Sequence, residues 1–230
     1  MNIMTRAARR VRRDLKKYAR LRDARRNGLV YVEPNFVYRP DLSSTSVVID
    51  GGCSYQADFS VYLMRRHGVR AFGVDPTRKH GSALRELEIR YPNRFVHVPC
   101  AIAAADGDLT FTESETNESG SLLQDHVNVM QDRTTSYHVR ALTLASLLDH
   151  IGVDAVDILK LDLEGAEYEL LDGTTPEQLR PFKQVFVEFH HHAVSRFGEA
   201  DTQRIVRRLS SFGLNAFSLD DHNYLFYRDR

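Results

Sequence analysis

The chain has 230 residues, with 31 Lys and Arg against 31 Asp and Glu, and 42% of it is hydrophobic. That length suits one domain, and the composition excludes a disordered or collagen-like chain. The longest apolar run, Cys100–Ala105, is too short for a membrane span or a secretory signal, and two cysteines make no disulfide framework, so a cytoplasmic location is expected.

The zero net charge hides two oppositely charged pieces. Residues 1–27 hold eleven basic and two acidic side chains, so the other 203 residues carry 20 basic and 29 acidic ones. Met4, Val11, Leu15 and Tyr18 recur at helical spacing with no Pro or Gly before Gly28. Residues 1–27 are therefore expected to form a basic amphipathic helical extension, and 28–230 a single domain. The extension suits packing on the acidic body, peripheral contact with an anionic inner membrane surface, or non-specific contact with nucleic acid.

Leu29–Val37 reads as extended, between Gly28 and Pro40. From Ser46 onward strands and helices alternate. Ser46–Asp50, Arg70–Asp75, Phe95–Cys100, Val156–Asp162 and Gln184–Phe189 are short β-branched or aromatic runs of the kind a buried parallel strand needs. Helices are expected at Ala57–His67, Ser82–Tyr91, Thr143–Ile151, Ala166–Leu171 and Glu199–Phe212, most of them closed by Gly or Pro. Asn215–Leu219 and Asn223–Tyr227 flank a turn-like Asp220–His222 and predict a hairpin. The pattern is an α/β, Rossmann-like, doubly wound fold: a mostly parallel seven-stranded sheet with an antiparallel C-terminal hairpin. Between the third and fourth strands lies the polar, acidic stretch Ala104–Ser136, with added strands expected at Leu109–Phe111 and His138–Leu142.

In such a sheet the ligand sits beyond the carboxyl ends of the strands, so the residues just after each strand carry the chemistry. Asp50-Gly51-Gly52-Cys53-Ser54 follows the first strand, and its small residues allow close backbone approach beside a helix N-terminus. Asp75-Pro76 follows the second, 24 residues past Gly51, near where an acid holds a ribose diol; it also suits a helix cap. The glycines are adjacent and no third one follows, which disfavours a dinucleotide and hence a nucleotide-binding oxidoreductase. A nucleoside ligand without a pyrophosphate fits better. After the fourth strand come Asp162, Glu164 and Glu167, three carboxylates split by Gly165, costly unless they face water, cations or a ligand.

Asp162–Glu167 preceded by Ile158-Leu159-Lys160, together with Val47–Gly52, Gly73–Pro76 and Val187–His190, resembles the signature of the FkbM-type methyltransferases. The resemblance covers about Leu29 to Arg228 and implies a class I fold using S-adenosyl-L-methionine, usually to O-methylate a sugar or natural-product hydroxyl. Carried over by position, it implies that Asp50, Gly51, Gly52, Cys53 and Ser54 line the methionine end of the cofactor. Asp75 and Pro76 would meet the ribose, Ala101 and Ile102 the adenine, and Asp162 the junction with the acceptor. The loop departs from the family pattern at Cys53-Ser54 and Gln56.

A sugar hydroxyl must lose its proton during transfer, and His190, Glu188 and Glu164 are the candidate bases, His190 having the reference pKa nearest neutrality. Asp162, Glu188 and His190 also offer a divalent-cation set, although no metal is expected. Cys53 and Cys100 read as inert buried thiols. The acidic Ala104–Ser136 stretch is expected to cover the acceptor pocket, with Ser119 and Ser121 as polar contacts. Against the enzyme stands a non-catalytic binding module acting through its basic tail.

Overall fold

The computed structural model describes residues 17–117, 120–123, 125–130 and 132–229. Of the expected basic helix, residues 1–16 lie outside the described residues, and residues 17–26 form helix α1. Ala24 is buried on the body, and the Arg20 guanidinium donates to the Asp221 carboxylate at 2.5 Å. Leu29–Val37 is not one extended segment. Strands β1 (Val30–Val32) and β2 (Phe36–Tyr38) pair antiparallel around a turn containing Pro34.

The body then runs β3 (Val47–Gly51), α2 (Asp58–His67), β4 (Arg70–Val74), a 3-10 turn (Arg78–His80), α3 (Gly81–Arg90) and β5 (Phe95–Val98). An insertion follows, with β6 (Ala101–Ile102), β7 (Gly107–Ser114), β8 (Gly120–Ser121), α4 (Val127–Met130) and β9 (Thr134–Leu142). The chain closes with α5 (Leu144–Ile151), β10 (Val156–Leu161), α6 (Glu167–Gly173), β11 (Phe182–Glu188), α7 (Glu199–Ser211), β12 (Asn215–Ser218) and β13 (Asn223–Tyr227).

Seven strands form one mixed sheet in the order β12-β13-β11-β10-β3-β4-β5. β11, β10, β3, β4 and β5 pair in parallel, and β13 runs antiparallel to both of its neighbours. The chain winds outward from β3 through β4 to β5, then returns to β10 on the other side of β3. That reversal opens a crevice at the carboxyl ends of β3 and β10. The parallel strands are buried on both faces, which is why Val156–Leu161 and Val47–Gly51 read as apolar runs rather than alternations. Ile49, Leu159 and Val185 face the cluster that holds Leu147, Leu171 and Ile205 of α5, α6 and α7. Val48, Ile158 and Phe186 face the opposite cluster, with Leu63 of α2, Leu84 of α3 and the β1–β2 hairpin.

The stretch 104–136 is not a loose loop. β7, β8 and β9 with β6 make a second, four-stranded sheet, ordered β6-β9-β7-β8. Among the described residues no helix is long and apolar enough to cross a membrane.

Helix α5 shows how the chain marks its own boundaries. Thr143 Oγ1 accepts from the Ser146 N–H at 3.2 Å, and Gly152 ends the helix in a left-handed conformation. Thr143→Ala should lower the unfolding free energy by about 1 kcal/mol, read from urea denaturation.

Candidate active site

The glycine loop after β3 is shaped by the protein before any ligand is considered. Gly52 has φ +70°, and a Cβ there would lie 1.8 Å from the Asp162 carbonyl oxygen. A Cβ on Gly51 would meet the Lys160 carbonyl at 2.9 Å and Ile102 Cδ1 at 2.7 Å. Adjacent glycines therefore let β3 close on the end of β10. Lys160 finishes the junction from below: its Nζ donates to the Gly52 carbonyl at 3.1 Å and to Asp162 Oδ2 at 3.1 Å, and lies 3.3 Å from Asp50 Oδ1. Asp50 also accepts from the Ser60 hydroxyl at 2.8 Å.

A cavity of about 310 Å³ opens above this junction, lined in part by Gly52, Ser54, Asp75, Pro76, Ala101 and Ile102. Asp162 and Glu164 close one side of it. Asp75 Oδ2 accepts from the Ser54 N–H at 2.9 Å and faces His80 Nδ1 at 3.3 Å, while Oδ1 accepts from the Thr77 N–H at 2.8 Å. Burial alone would raise its pKa, but the His80 and Thr77 contacts outweigh burial and hold the carboxyl below its ordinary value. Asp75 thus ties the Ser54 and Thr77 backbone together ahead of the turn at Arg78–His80, whose N-cap is Thr77. It stays ionised, with lone pairs left for a ligand hydroxyl. Two polar atoms of lining residues, Ser54 Oγ and His80 Nε2, are buried with no hydrogen-bond partner among the described residues. Such orphans belong in a site that receives a polar ligand.

Three residues expected at the cofactor stand elsewhere. Asp50 is fully buried under the loop as the partner of Lys160 and Ser60. Gly51 serves the β3–β10 approach, and Cys53 packs in the core beside Gly73 and Phe95, where burial pushes its thiol pKa well up. None of the three lines the cavity. Cys100 does line it, and burial raises its thiol to about 11.

The carboxylate segment makes a tight, strained turn, with φ +51° at Glu164 and +104° at Gly165. Glu167 is not a solvated first-turn acid. It is fully buried, its Oε2 accepts from the Gly165 N–H at 2.9 Å, and its Oε1 accepts from the His190 N–H at 3.0 Å. His190 Nδ1 lies 3.1 Å from the same Oε1, and its Nε2 lies 3.5 Å from both Asp162 Oδ1 and Glu164 Oε2. Burial alone would lower the His190 pKa; Glu167, Asp162 and Glu164 together override it and raise it to about 10. An imidazolium has no lone pair to take a proton, so this setting argues against His190 as the base. His126 Nε2, fully buried, stands 2.7 Å from Glu164 Oε2. Nothing in the polar sequence around His126 marked it, because its partner is 38 positions away and meets it only in space.

A second, larger hollow of about 680 Å³ lies on the α2 face of the sheet. The hairpin turn at Glu33–Phe36 forms one wall, α2 another, and Lys160, Asp162, Phe186 and Glu188 the floor. Burial and the neighbouring Asp162 charge raise the Glu188 pKa to about 7, against the pull of His190 and Lys160. No described residue of the insertion lines this hollow. The insertion's Phe111, Gly120 and Leu122 line the smaller cavity, Ser121 donates to the Glu164 carbonyl at 2.9 Å, and Ser119 lies outside the described residues. Nor do Asp162, Glu188 and His190 assemble a cation site. Lys160 occupies one side of Asp162, and among the described residues no three His, Cys, Asp or Glu side chains are arranged to hold a metal ion.

Residues 26–224 match the model of the methyltransferase FkbM domain. The chain belongs to that family. FkbM-domain proteins use S-adenosylmethionine, so the chain is an S-adenosylmethionine-dependent methyltransferase, not a nucleotide-binding oxidoreductase. No curated protein sequence matches the chain closely enough to serve as a relative. Among solved structures it is similar to fibrillarin in a fibrillarin/Nop5p complex (11% identity, 84% of this chain and 77% of that one, TM-score 0.47). It is also similar to Aeropyrum pernix fibrillarin with bound S-adenosyl-L-methionine (12%, 90% and 72%, 0.46) and to M. capricolum TrmK with S-adenosyl-homocysteine (10%, 83% and 67%, 0.38). What those proteins bind is theirs; the residues of this FkbM domain are placed by its own geometry.

Gly52→Ala should destabilise the domain by about 3 kcal/mol, read from urea denaturation, because the clash is with backbone and the φ is left-handed. The raised pKa of His190 gives stability that is fully present below about 6.5, its unfolded value. That stability is lost as pH rises through about 10. Thermal melts of the wild type should therefore fall across that window, and His190→Gln should flatten the decline.

Proposed function

We propose that the chain transfers the methyl group of S-adenosylmethionine to a hydroxyl oxygen of an acceptor seated in the groove between α2, the hairpin and Glu188. The acceptor is a glycan or a hydroxylated natural product. One observation carries the reading: the two hollows share a single lining residue, Asp162. A donor on one side and an acceptor on the other therefore meet there, in the crevice where this sheet topology places ligands.

Bound in the smaller cavity, S-adenosylmethionine supplies a methyl group already activated on a sulfonium. Asp75 holds the ribose hydroxyls, Ser54 and His80 offer their unmatched polar atoms, and Ala101 and Ile102 flank the base. Asp162 takes the amino group. With an activated donor, much of the rate comes from alignment, which the rigid β3–β10 junction provides.

The proton of the acceptor hydroxyl goes to Glu188. Its pKa near 7 gives both a free lone pair and basicity at neutral pH, the balance general-base catalysis needs. His190 and Glu164 act differently from a base: the imidazolium fixes Asp162 and Glu164 against each other. The exposed Arg22, Arg25 and Arg26 of α1 suit peripheral contact with an anionic surface on the cytoplasmic side.

Isothermal titration with S-adenosylhomocysteine tests the donor site. The wild type and Glu188→Gln should bind it and Asp75→Ala should not; no wild-type binding at millimolar ligand overturns the reading. Mass spectrometry of a glycan pool incubated with labelled donor should show turnover falling roughly 100-fold in Glu188→Gln, with loss of the acid limb near pH 7.

A further inference from the structure

The groove is polarised along its length. Asp58 opens α2 directly after the glycine loop, and Asp58, Arg65 and Arg66 all line the groove. Arg65 lies seven positions after Asp58 on α2, so the backbone of the two arginines stands about 10 Å down the helix axis from Asp58. At the catalytic end the acids are Asp58, Asp162 and Glu188; the fourth lining acid, Glu33, belongs to the hairpin wall. Among the described residues Lys160 is the one cation at that end, engaged by Asp50 and Asp162.

The two arginines are differently placed. Arg196 and Arg204 pair with Asp125 and Asp172, but neither Arg65 nor Arg66 pairs with a carboxylate among the described residues. Arg65, which lines the groove, is steadied by its Nε donating to the Tyr91 hydroxyl at 3.0 Å, a bond that uses one of its five N–H groups. Between the two ends lie aromatic rings from three elements. Phe36 meets Phe59 edge-on at 4.1 Å and Phe186 at 4.9 Å, so the apolar wall is fixed by its own packing.

We propose that the acceptor is a hydroxylated amphipathic acid. Its apolar body lies on Phe36, Phe59 and Phe186, and its carboxylate or phosphate seats on Arg65 and Arg66, directing the hydroxyl to Glu188. The opposite orientation puts an anion against Asp162 and Glu188 and is rejected. Guanidinium groups suit this task because their planar forks match both oxyanions. The inference rests on the methyl-transfer reading and adds the substrate class to it.

The test is titration of the full chain, saturated with S-adenosylhomocysteine, with three probes of one shape: para-hydroxyphenylbutyrate, para-hydroxyphenylpropyl phosphate and the neutral para-hydroxyphenylbutanamide. At least one anionic probe should bind about tenfold or more tighter than the amide, and the one preferred tells carboxylate from phosphate. The Arg65→Gln/Arg66→Gln double variant should lose that preference and keep its affinity for S-adenosylhomocysteine. Equal affinities, no binding of any probe, or a preference that survives in the double variant overturns the proposal. Failure of S-adenosylhomocysteine itself to bind strikes the donor site instead, and the probes titrated without it still decide the anion preference.

Discussion

Lys160 sits inside the sheet with its ammonium against two carboxylates and a backbone carbonyl, and the site is built around that contact. A buried ammonium is costly unless paired, and Asp50 and Asp162 raise its pKa far enough to keep it charged. Because it also holds the Gly52 carbonyl, the loop after β3 and the turn after β10 cannot move apart without exposing an unmatched charge. Gly52 supplies the complementary constraint by letting the Asp162 carbonyl approach where any side chain would collide. The two hollows and Asp162, the residue they share, all hang on this one junction.

Around it the charges divide into tasks. Glu167 is wholly buried and spends both oxygens on the backbone of Gly165 and His190, so it fixes the strained turn rather than meeting a ligand. His190 is then held among three carboxylates as a cation. Glu188, two residues before it at the end of β11, is left largely desolvated beside Asp162, and its pKa rises to about 7. The same acids that raise the basicity of His190 thus leave a carboxylate as the group best able to accept a proton.

Much of the fold was legible in the sequence because buried parallel strands leave an unmistakable trace. Ser46–Asp50 holds three apolar residues in succession and Val156–Asp162 four in seven without strict alternation, and the glycines after them mark the turns. The insertion was only half legible: the first half of β7 is exposed on every residue, giving no alternation to read, and β6 is two residues long. In the site, Gly52, Ser54 and Asp75 stood out because their positions follow strand ends. Asp50 and Cys53 occupy equally prominent positions yet point into the core, a matter of side-chain direction that spacing does not encode. His126, and the roles of Lys160 and Glu188, depend on which charges meet across the crevice, and a linear pattern carries no such information.

The insertion sheet roofs the smaller cavity, while the hairpin and α2 wall the groove, so the two hollows share only Asp162 among their lining residues. The architecture therefore keeps the residues around one hollow nearly independent of those around the other. It also lets the two walls diverge separately. On the proposed assignment, a few residues changed around Pro34 would retune the choice of acceptor while leaving the walls of the smaller cavity as they are.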